Sequence, residues 1–164
     1  MAGTEARPPN CLMSFESSLV WVDPGFLCFG EKPGRWRPIE EDLQLLQGQG
    51  VGAIISLLEV EPSLRLYESK GFFTRHIPII DFHAPSHAQL SECTQILKDL
   101  RGRSLPAYLH CYAGIGRSGT MAAAWLIASG EQAVEAIARI RRAKPGAIES
   151  DLQYNALLEF AALL

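Results

Sequence analysis

The chain has 164 residues, of which 48% are hydrophobic and 20% are charged, and its formal net charge at pH 7 is −3. This length and composition are typical of a folded domain with its own core, and no stretch reaches the roughly 18 apolar residues of a membrane-spanning helix. Because the chain has 15 basic and 18 acidic residues, it lacks the excess of basic residues that neutralises a nucleic-acid backbone. We therefore expect neither a membrane span nor nucleic acid as the main partner, although a small basic pocket remains compatible with these numbers.

The cysteines and the N-terminus indicate a reducing compartment. The four cysteines, Cys11, Cys28, Cys93 and Cys111, form no Cys-x-x-Cys pair and have no zinc-ligand spacing. Residues 1–9 lack the apolar segment of a secretion signal. We therefore expect a cytoplasmic protein, with the nucleus as the alternative. No carboxylate cluster offers a magnesium site, so we expect no metal and no cofactor.

Along the chain, helical and strand patterns alternate before a helical C-terminal part. Residues 1–13 are interpreted as a loose leader and residues 14–164 as a single domain, with ordered structure from about residues 18–22. Apolar periodicity predicts helices over residues 39–47, 63–70 and 89–100, and strands over residues 51–58, 72–77 and 107–110. Three further helices are predicted over residues 118–129, around 134–141 and around 154–161, of which the first is apolar on nearly all sides and therefore buried.

This order of elements predicts an α/β fold with a central, mostly parallel sheet flanked by helices. In such sheets the ligand crevice lies beyond the carboxyl ends of the strands. Cys111 directly follows one predicted strand end. The segment after this strand is therefore the first place to look for chemistry.

Residues 110–120, HCYAGIGRSGT, combine a cysteine, two glycines and an arginine in a loop that leads into a helix. Successive backbone N–H groups of such a loop can point inward around one tetrahedral dianion, and Gly114 and Gly116 permit the required curvature. The helix N-terminus favours an anion at the same point, and Arg117 supplies a planar fork that matches two phosphate oxygens. The same positive field stabilises a thiolate. Cys111 is thus predicted to be an ionised nucleophile in a phosphate site.

Each of these residues also has a simpler interpretation, namely a core cysteine, a glycine turn and a surface or helix-capping arginine. The combination is more specific than its parts. A Cys-x5-Arg spacing after an apolar strand, with internal glycines and Ser-Gly-Thr opening a helix, favours the phosphate site.

The segment resembles the His-Cys-x5-Arg-Ser/Thr signature of the cysteine-dependent protein tyrosine and dual-specificity phosphatases. The chain looks most like the small atypical dual-specificity members of that family, and the resemblance extends from about Val20 onward, including residues 77–82 and 144–149. It implies the protein tyrosine phosphatase fold and hydrolysis of phosphorylated proteins through a phosphocysteine intermediate.

The resemblance also implies roles for the motif residues. Cys111 would be the nucleophile, and Arg117 would bind the phosphoryl group and stabilise its transition state. Ser118 would assist thiolate stabilisation and phosphate release. His110 would order the loop by hydrogen bonding, or it is simply a packed residue. The substrate phosphate would lie against the loop residues Tyr112, Ala113, Gly114, Ile115, Gly116 and Arg117.

A general acid is also required, because an alkoxide or phenoxide leaves poorly unless it is protonated as the bond breaks. Asp81 is the candidate, since it follows a predicted strand end in a loop with proline and histidine, in the segment where the family carries its mobile acid. The alternatives are a solvated loop aspartate or a helix cap, and His83 is the rival acid. Asp23, in Val-Asp-Pro-Gly, is interpreted as a turn former.

Two residues near the C-terminus are further candidates. Gln153 stands where related atypical phosphatases carry a glutamine thought to position water, although exposed glutamines at helix starts are common. Glu149 either steadies Arg117 or caps a helix. The sequence leaves both alternatives open.

The loop between Cys111 and Arg117 carries no charged residue. A substrate with several phosphates would need several cations, which disfavours inositol polyphosphates and RNA triphosphate ends. We expect phosphorylated proteins as partners, with phosphotyrosine and also phosphoserine or phosphothreonine as substrates, in a shallow pocket. The alternatives are a catalytically silent phospho-binding module and a rhodanese-like sulfur or arsenate enzyme.

Overall fold

The strands form the mostly parallel sheet that the sequence predicts. The structure is a computed structural model and describes residues 14–164. Its strands are β1 (Val20–Asp23), β2 (Leu27–Gly30), β3 (Ala53–Ser56), β4 (Phe73–His76) and β5 (Ala107–His110). They form one sheet in the order β1-β2-β5-β3-β4, in which β1 pairs antiparallel with β2 and all other neighbours are parallel. The prediction of an α/β fold with a mostly parallel sheet is confirmed.

Helices cover this sheet. In the described part of the chain they are α1 (Phe15–Ser18), α2 (Ile39–Gly48), α3 (Leu64–Ser69), α4 (His87–Gly102), α5 (Arg117–Ala128), α6 (Ala133–Ala143) and α7 (Asp151–Ala162). None of these helices is both long and apolar enough to cross a membrane.

The two faces of the sheet support separate cores, because successive strand residues point to opposite faces. Phe29 and Leu109 belong to a larger core with residues of α4, α5, α6 and α7. Their chain neighbours Cys28 and Tyr108 belong to a smaller core with residues of α1, α2 and α3. A sheet that is covered on both faces is the usual setting of parallel strands.

Helix α5 is the central element of the larger core. Its residues from Arg117 to Ile127 are all buried, as its apolar composition predicts. It contacts β2 and β5 of the sheet and also α4, α6 and α7. This packing fixes the N-terminus of α5, which lies at the carboxyl end of β5.

The observed helix starts differ from the predicted ones where capping interactions extend them. Helix α4 begins two residues before the predicted start because Ser86 and Gln89 form a capping box. The Gln89 amide donates to Ser86 Oγ at 3.2 Å, and the Ser86 amide donates to Gln89 Oε1 at 2.9 Å.

Ordered structure also begins earlier than the predicted residues 18–22. Ser14 caps α1, and the buried Phe15 ring lies edge-on to Tyr108, with 5.8 Å between the ring centroids. A local apolar pattern could not predict this contact, since it joins residues that are far apart in the chain. The predicted leader, residues 1–13, lies outside the described residues.

Candidate active site

The predicted phosphate loop connects the end of β5 to the start of α5. Gly114 adopts a φ of +71°, and a Cβ atom at this position would collide with the backbone of Gly30 and Glu31 at the end of β2. A Cβ atom at Gly116 would collide with the carboxylate of Glu149. Gly114 is therefore required by its surroundings, because a side chain there would push the loop away from the backbone at the end of β2. At Gly116 an added side chain would instead displace the flexible end of Glu149.

Cys111 lies at the base of this loop. The residue is only 3% exposed, and its Sγ atom lies 3.4 Å from the hydroxyl oxygen of Ser118 in the first turn of α5. The sequence prediction that Ser118 assists the thiolate requires this proximity. Thr120, two residues further along, donates its hydroxyl to the Gly116 carbonyl at 2.7 Å and so anchors the loop to the helix.

Arg117 and Asp81 lie together although they are far apart in the sequence. The Nη2 atom of Arg117 lies 2.9 Å from Asp81 Oδ1, and its Nη1 atom donates to the Ile79 carbonyl oxygen at 3.0 Å. The arginine side chain is 4% exposed, whereas the Asp81 side chain is 50% exposed. The backbone N–H of Asp81 donates to Glu59 Oε1 at 3.0 Å. The acid candidate thus faces solvent beside the guanidinium that would bind phosphate.

These residues line a surface cavity of about 430 Å³. Its wall includes Asp81 and Arg117, together with Tyr112 of the loop and Lys32, which follows β2. The remaining lining residues are Leu58, Glu59, Val60 and Pro62. His83, the rival acid, is absent from this wall and lies instead against grooves beside α4 and α7. This placement favours Asp81 over His83 as the acid.

The loop side chains divide between two cavities. Tyr112 is 50% exposed, and its ring lies 4.9 Å from the Arg35 guanidinium. Ala113 and Ile115 line a second cavity of about 330 Å³, which Lys144 and Arg35 also line. The uncharged loop is therefore flanked by cations from other parts of the chain, and the sequence-based argument from the loop composition missed them.

His110 is fully buried behind the loop. Its Nδ1 atom lies 3.2 Å from the carbonyl oxygen of Cys111, and its Nε2 atom lies 3.4 Å from Oε2 of the buried Glu61. Burial lowers the pKa of His110, and the Glu61 carboxylate opposes this effect. The contact with the Cys111 backbone supports a role for His110 in ordering the loop.

Gln153 is not an exposed helix-start residue but is fully buried. Its Oε1 atom accepts a hydrogen bond from the Glu149 amide at 2.9 Å, and its Nε2 atom donates to the His83 carbonyl oxygen at 3.2 Å. Gln153 therefore connects the segment beside Gly116 to the loop that carries Asp81.

Glu149 is the third carboxylate near the guanidinium, after Asp81 and Glu59. Burial raises its pKa, and the negative charge of Asp81 adds to this effect while Arg117 opposes it. No hydrogen bond between Glu149 and Arg117 is present in the described structure. Its contact with Gly116 makes it a part of the loop's support.

Sequence reasoning missed the charged residues Lys32, Arg35, Glu59, Glu61 and Lys144. Identifying strand β2 from the sequence would have found Lys32 and Arg35. Because β2 pairs with β5, the residues that follow β2 lie at the same sheet edge as Cys111.

The chain is similar to known proteins over most of its length. A family model described as a polymorphic toxin system DSP-PTPase phosphatase matches residues 28–131. Human cyclin-dependent kinase inhibitor 3 is 33% identical over 141 residues, which cover 76% of this chain and 64% of the human protein. The pig protein of the same name is 32% identical over 137 residues, with the same coverage. The chain thus spans 64% of the length of these curated relatives.

Solved structures are similar over a larger share of the chain. A crystal structure of Tk-PTP in its active form is 32% identical, has a TM-score of 0.81 and covers 90% of this chain and 98% of its own. Kinase associated phosphatase, with its catalytic-site cysteine replaced by serine, is 28% identical, has a TM-score of 0.78 and covers 90% of this chain and 94% of its own.

Proposed function

The chain belongs to the DSP-PTPase phosphatase family, and we propose that it is a cysteine-dependent protein phosphatase. It would hydrolyse phosphotyrosine, and also phosphoserine and phosphothreonine, through a phosphocysteine intermediate. The similarity to Tk-PTP and to kinase associated phosphatase confirms the predicted protein tyrosine phosphatase fold. The proposal is carried by one observation: Arg117 and Asp81 line one cavity at the loop that begins with Cys111.

In the first step, the Cys111 thiolate attacks phosphorus and an S–P bond forms. The ester P–O bond breaks, its electron pair stays on the leaving oxygen, and Asp81 donates a proton to that oxygen. The Arg117 fork and the loop N–H groups stabilise the phosphoryl oxygens, where charge concentrates in the transition state. The products of this step are the dephosphorylated side chain and phosphocysteine.

In the second step, water attacks the phosphorus of the phosphocysteine. Asp81, now a carboxylate, accepts the proton of the attacking water, the S–P bond breaks, and inorganic phosphate leaves. The bonding electrons return to sulfur as the Cys111 thiolate. The Ser118 hydroxyl lies 3.4 Å from Sγ. This distance supports a role for Ser118 in thiolate stabilisation, because the hydroxyl can donate a hydrogen bond to the returning thiolate.

Phosphorylated proteins are the proposed substrates and partners. The relatives named cyclin-dependent kinase inhibitor 3 and kinase associated phosphatase support a protein substrate. The residues Val60 and Tyr112 on the cavity wall are 77% and 50% exposed, which supports a shallow site that accepts both long and short phosphorylated side chains.

We further infer that residues 14–164 contain the whole catalytic machinery as one domain and that the protein works in the cytoplasm or the nucleus. Because Arg117 and the loop amides supply the positive field, the reaction needs no metal ion and no cofactor. Gln153 is proposed as a supporting residue, and its two hydrogen bonds support a role in joining the acid loop to the loop beside Gly116.

Release of inorganic phosphate tests this function directly. We would measure it for an aryl phosphate and for matched peptides that carry phosphotyrosine, phosphoserine or phosphothreonine, with Cys111→Ser as the control. The expected result is turnover by the wild type and none by the variant. Binding of phosphopeptides without turnover would indicate a silent binding module, and sulfur transfer or arsenate reduction without phosphate release would indicate the rhodanese-like alternative.

A further inference from the structure

A buried pair of ionisable side chains, Glu61 and His110, lies behind the catalytic loop, and the reaction described above makes no use of Glu61. The two side chains are 1% and 0% exposed, and Glu61 Oε2 lies 3.4 Å from His110 Nε2. Glu61 lies between β3 and α3, whereas His110 ends β5. The pair therefore joins two neighbouring segments of the fold directly beneath Cys111.

The hydrogen-bond partner of Nδ1 determines where one imidazole proton lies. His110 Nδ1 is 3.2 Å from the carbonyl oxygen of Cys111. A carbonyl oxygen can only accept, so Nδ1 must donate and must carry a proton. A neutral His110 would then have a bare lone pair on Nε2.

That lone pair would face a carboxylate oxygen in the interior. Nε2 makes no hydrogen bond to any of the described residues, and Glu61 Oε2 is the atom it faces. Glu61 cannot turn away freely, because Oε2 bonds to the Ser56 hydroxyl at 2.7 Å and Oε1 accepts from the Ser63 amide at 2.8 Å. Two unprotonated acceptors held face to face away from water repel each other, whereas one proton between them makes the contact favourable.

We propose that Glu61 is a positioning residue that shares one proton with His110, and that this proton keeps His110 donating to the Cys111 backbone and stabilises the Cys111 thiolate. With the shared proton the pair carries no net charge, which lowers the cost of burying it. Sharing the proton places part of its positive charge on the imidazole, whose Nδ1 donates a hydrogen bond to the Cys111 carbonyl oxygen.

The surroundings of His110 favour a proton that is held by the pair rather than by the imidazole alone. Burial opposes a charged imidazole, the Glu61 carboxylate supports it, and the positive charges of Lys32 and Arg117 add to the effect of burial. The rings of Tyr67 and Tyr108 lie 6.0 Å and 6.1 Å from the imidazole centroid. A proton shared between the two side chains avoids placing a full buried charge on either of them.

Nitrogen NMR of histidine-labelled protein tests the shared proton itself, and this measurement does not depend on phosphatase activity. The chain has only four histidines, and a His110→Gln variant identifies the signals of His110. In the wild type at pH 7 we expect Nδ1 to be protonated and the Nε2 signal to be shifted away from that of a bare ring nitrogen. In Glu61→Gln we expect a neutral ring with Nε2 as a plain acceptor. A wild-type spectrum with a bare Nε2 would overturn the proposal.

The consequence for Cys111 rests on the proposed function, and the pH dependence of its alkylation by iodoacetamide tests it. Loss of the shared proton in Glu61→Gln should raise the midpoint of thiol ionisation by about one pH unit, which reduces the thiolate about tenfold below the midpoint. If Glu61 were instead a bare carboxylate, its removal would delete a negative charge and lower the midpoint. A fall or an unchanged midpoint therefore contradicts the proposal.

Matched variants separate this effect from general damage. Glu59→Gln makes the same chemical change two residues away at the exposed cavity wall, and it should not raise the midpoint. In a His110→Gln background, Glu61→Gln should cause no further rise if Glu61 acts through His110. Thermal unfolding would verify folding, and the wild-type NMR measurement decides the case if Glu61→Gln does not fold. If alkylation showed the expected pH dependence but no phosphate were released, the proposed phosphatase function would be rejected. The proposal for the Glu61–His110 pair would still stand.

Discussion

The Asp81 carboxylate and the Arg117 guanidinium form an ion pair of 2.9 Å at the cavity wall. The pair requires an ionised carboxylate, whereas a general acid must carry a proton. A phosphate dianion bound in the loop would supply the negative charge beside Arg117 that Asp81 supplies in the ion pair. Substrate binding would thereby release Asp81 to hold a proton next to the leaving oxygen. The same contact would thus couple occupancy of the loop to protonation of the proposed acid.

Asp81→Asn should slow the dephosphorylation of a poor leaving group by roughly 10²–10⁴-fold, the usual contribution of general acid catalysis. An activated aryl phosphate should lose much less, because its phenoxide leaves with little help. Since the alkaline limb of the pH–rate profile reflects loss of the acid's proton, this limb should flatten in the variant. Steady-state rates with substrates of graded leaving-group ability, measured against pH, provide the test.

Substrate binding should survive in Asp81→Asn and even strengthen, because phosphate no longer competes with a carboxylate for Arg117. The variant should therefore retain phosphoprotein long enough for its capture. His83→Asn is the matched control and should keep both the leaving-group dependence and the alkaline limb. Equal losses for good and poor leaving groups in Asp81→Asn would transfer the acid role to His83.

Gly114→Ala should disable the loop. The alanine Cβ would collide with the backbone of Gly30 and Glu31 at a φ of +71°, and a displacement of about 1 Å at the reacting centre can cost about 10²-fold in rate. We expect a loss of that order or more in kcat/KM. Kinetics with an aryl phosphate and thermal unfolding would be measured together.

Gly130→Ala is the control for Gly114→Ala. Gly130 also has a positive φ, of +104°, but no atom lies within 4 Å of its added Cβ. This variant should lose about 1–3 kcal/mol of unfolding free energy through backbone strain alone and keep its catalytic rate at a temperature where it is folded. If both variants lost activity equally, strain rather than the collision with β2 would be the cause.

Some residues of the candidate site can be predicted from the sequence, whereas others reach it only through the fold. Cys111, Arg117 and Ser118 lie within one continuous segment whose spacing is fixed by the chemistry of phosphate binding, so the pattern identifies them. Asp81 was inferred from its position after a strand. Glu61 and Lys32 reach the site because β3 and β2 both pair with β5, and strand order depends on packing between distant segments that local periodicity does not encode.

Gln153→Met removes both side-chain hydrogen bonds while nearly preserving the side-chain volume. We expect a loss of about 1–3 kcal/mol of unfolding free energy, because each of the two partly buried hydrogen bonds contributes about 0.5–1.5 kcal/mol. Since Gln153 joins the acid loop to the loop beside Gly116, the rate with a poor leaving group should fall more than the rate with an activated one. Leaving-group dependence and chemical denaturation measure the two effects.

The alternative role of Gln153, positioning of the attacking water, predicts a different signature. In that case the second step would slow selectively, and an activated substrate would show a burst of phenol release followed by slow turnover. Rapid-mixing kinetics of Gln153→Met distinguish these outcomes. A burst would favour water positioning over the connection between the two loops.

Hydrolysis should continue in the presence of a chelator, since Arg117 and the loop amides supply the positive field. Within residues 14–164 no cluster of three histidine, cysteine or carboxylate side chains is arranged to hold a metal ion. Vanadate should inhibit competitively, because it can adopt a phosphoryl-like geometry over the thiolate. Activity that disappears with chelator and returns with a divalent metal would contradict this mechanism.

Mild peroxide should inactivate the enzyme by oxidising Cys111 before Cys28 and Cys93. Burial raises the pKa of Cys93 to about 12, and it also raises the pKa of Cys28. Because a raised pKa means that the thiol keeps its proton, both groups remain unreactive between about pH 5 and 9, and the pH dependence of inactivation over that range reports the Cys111 thiolate. A Cys11→Ser background removes the remaining cysteine from the experiment.

The first oxidation product should be a sulfenic acid, which a thiol reductant can return to the active thiol, whereas prolonged exposure should give products that it cannot. Vanadate bound over Cys111 should protect the activity, since it blocks access to the sulfur. Mass spectrometry of the oxidised protein, with activity measured before and after reduction, provides the test. Modification of Cys28 or Cys93 while Cys111 and the activity are untouched would show that the loop does not activate its cysteine.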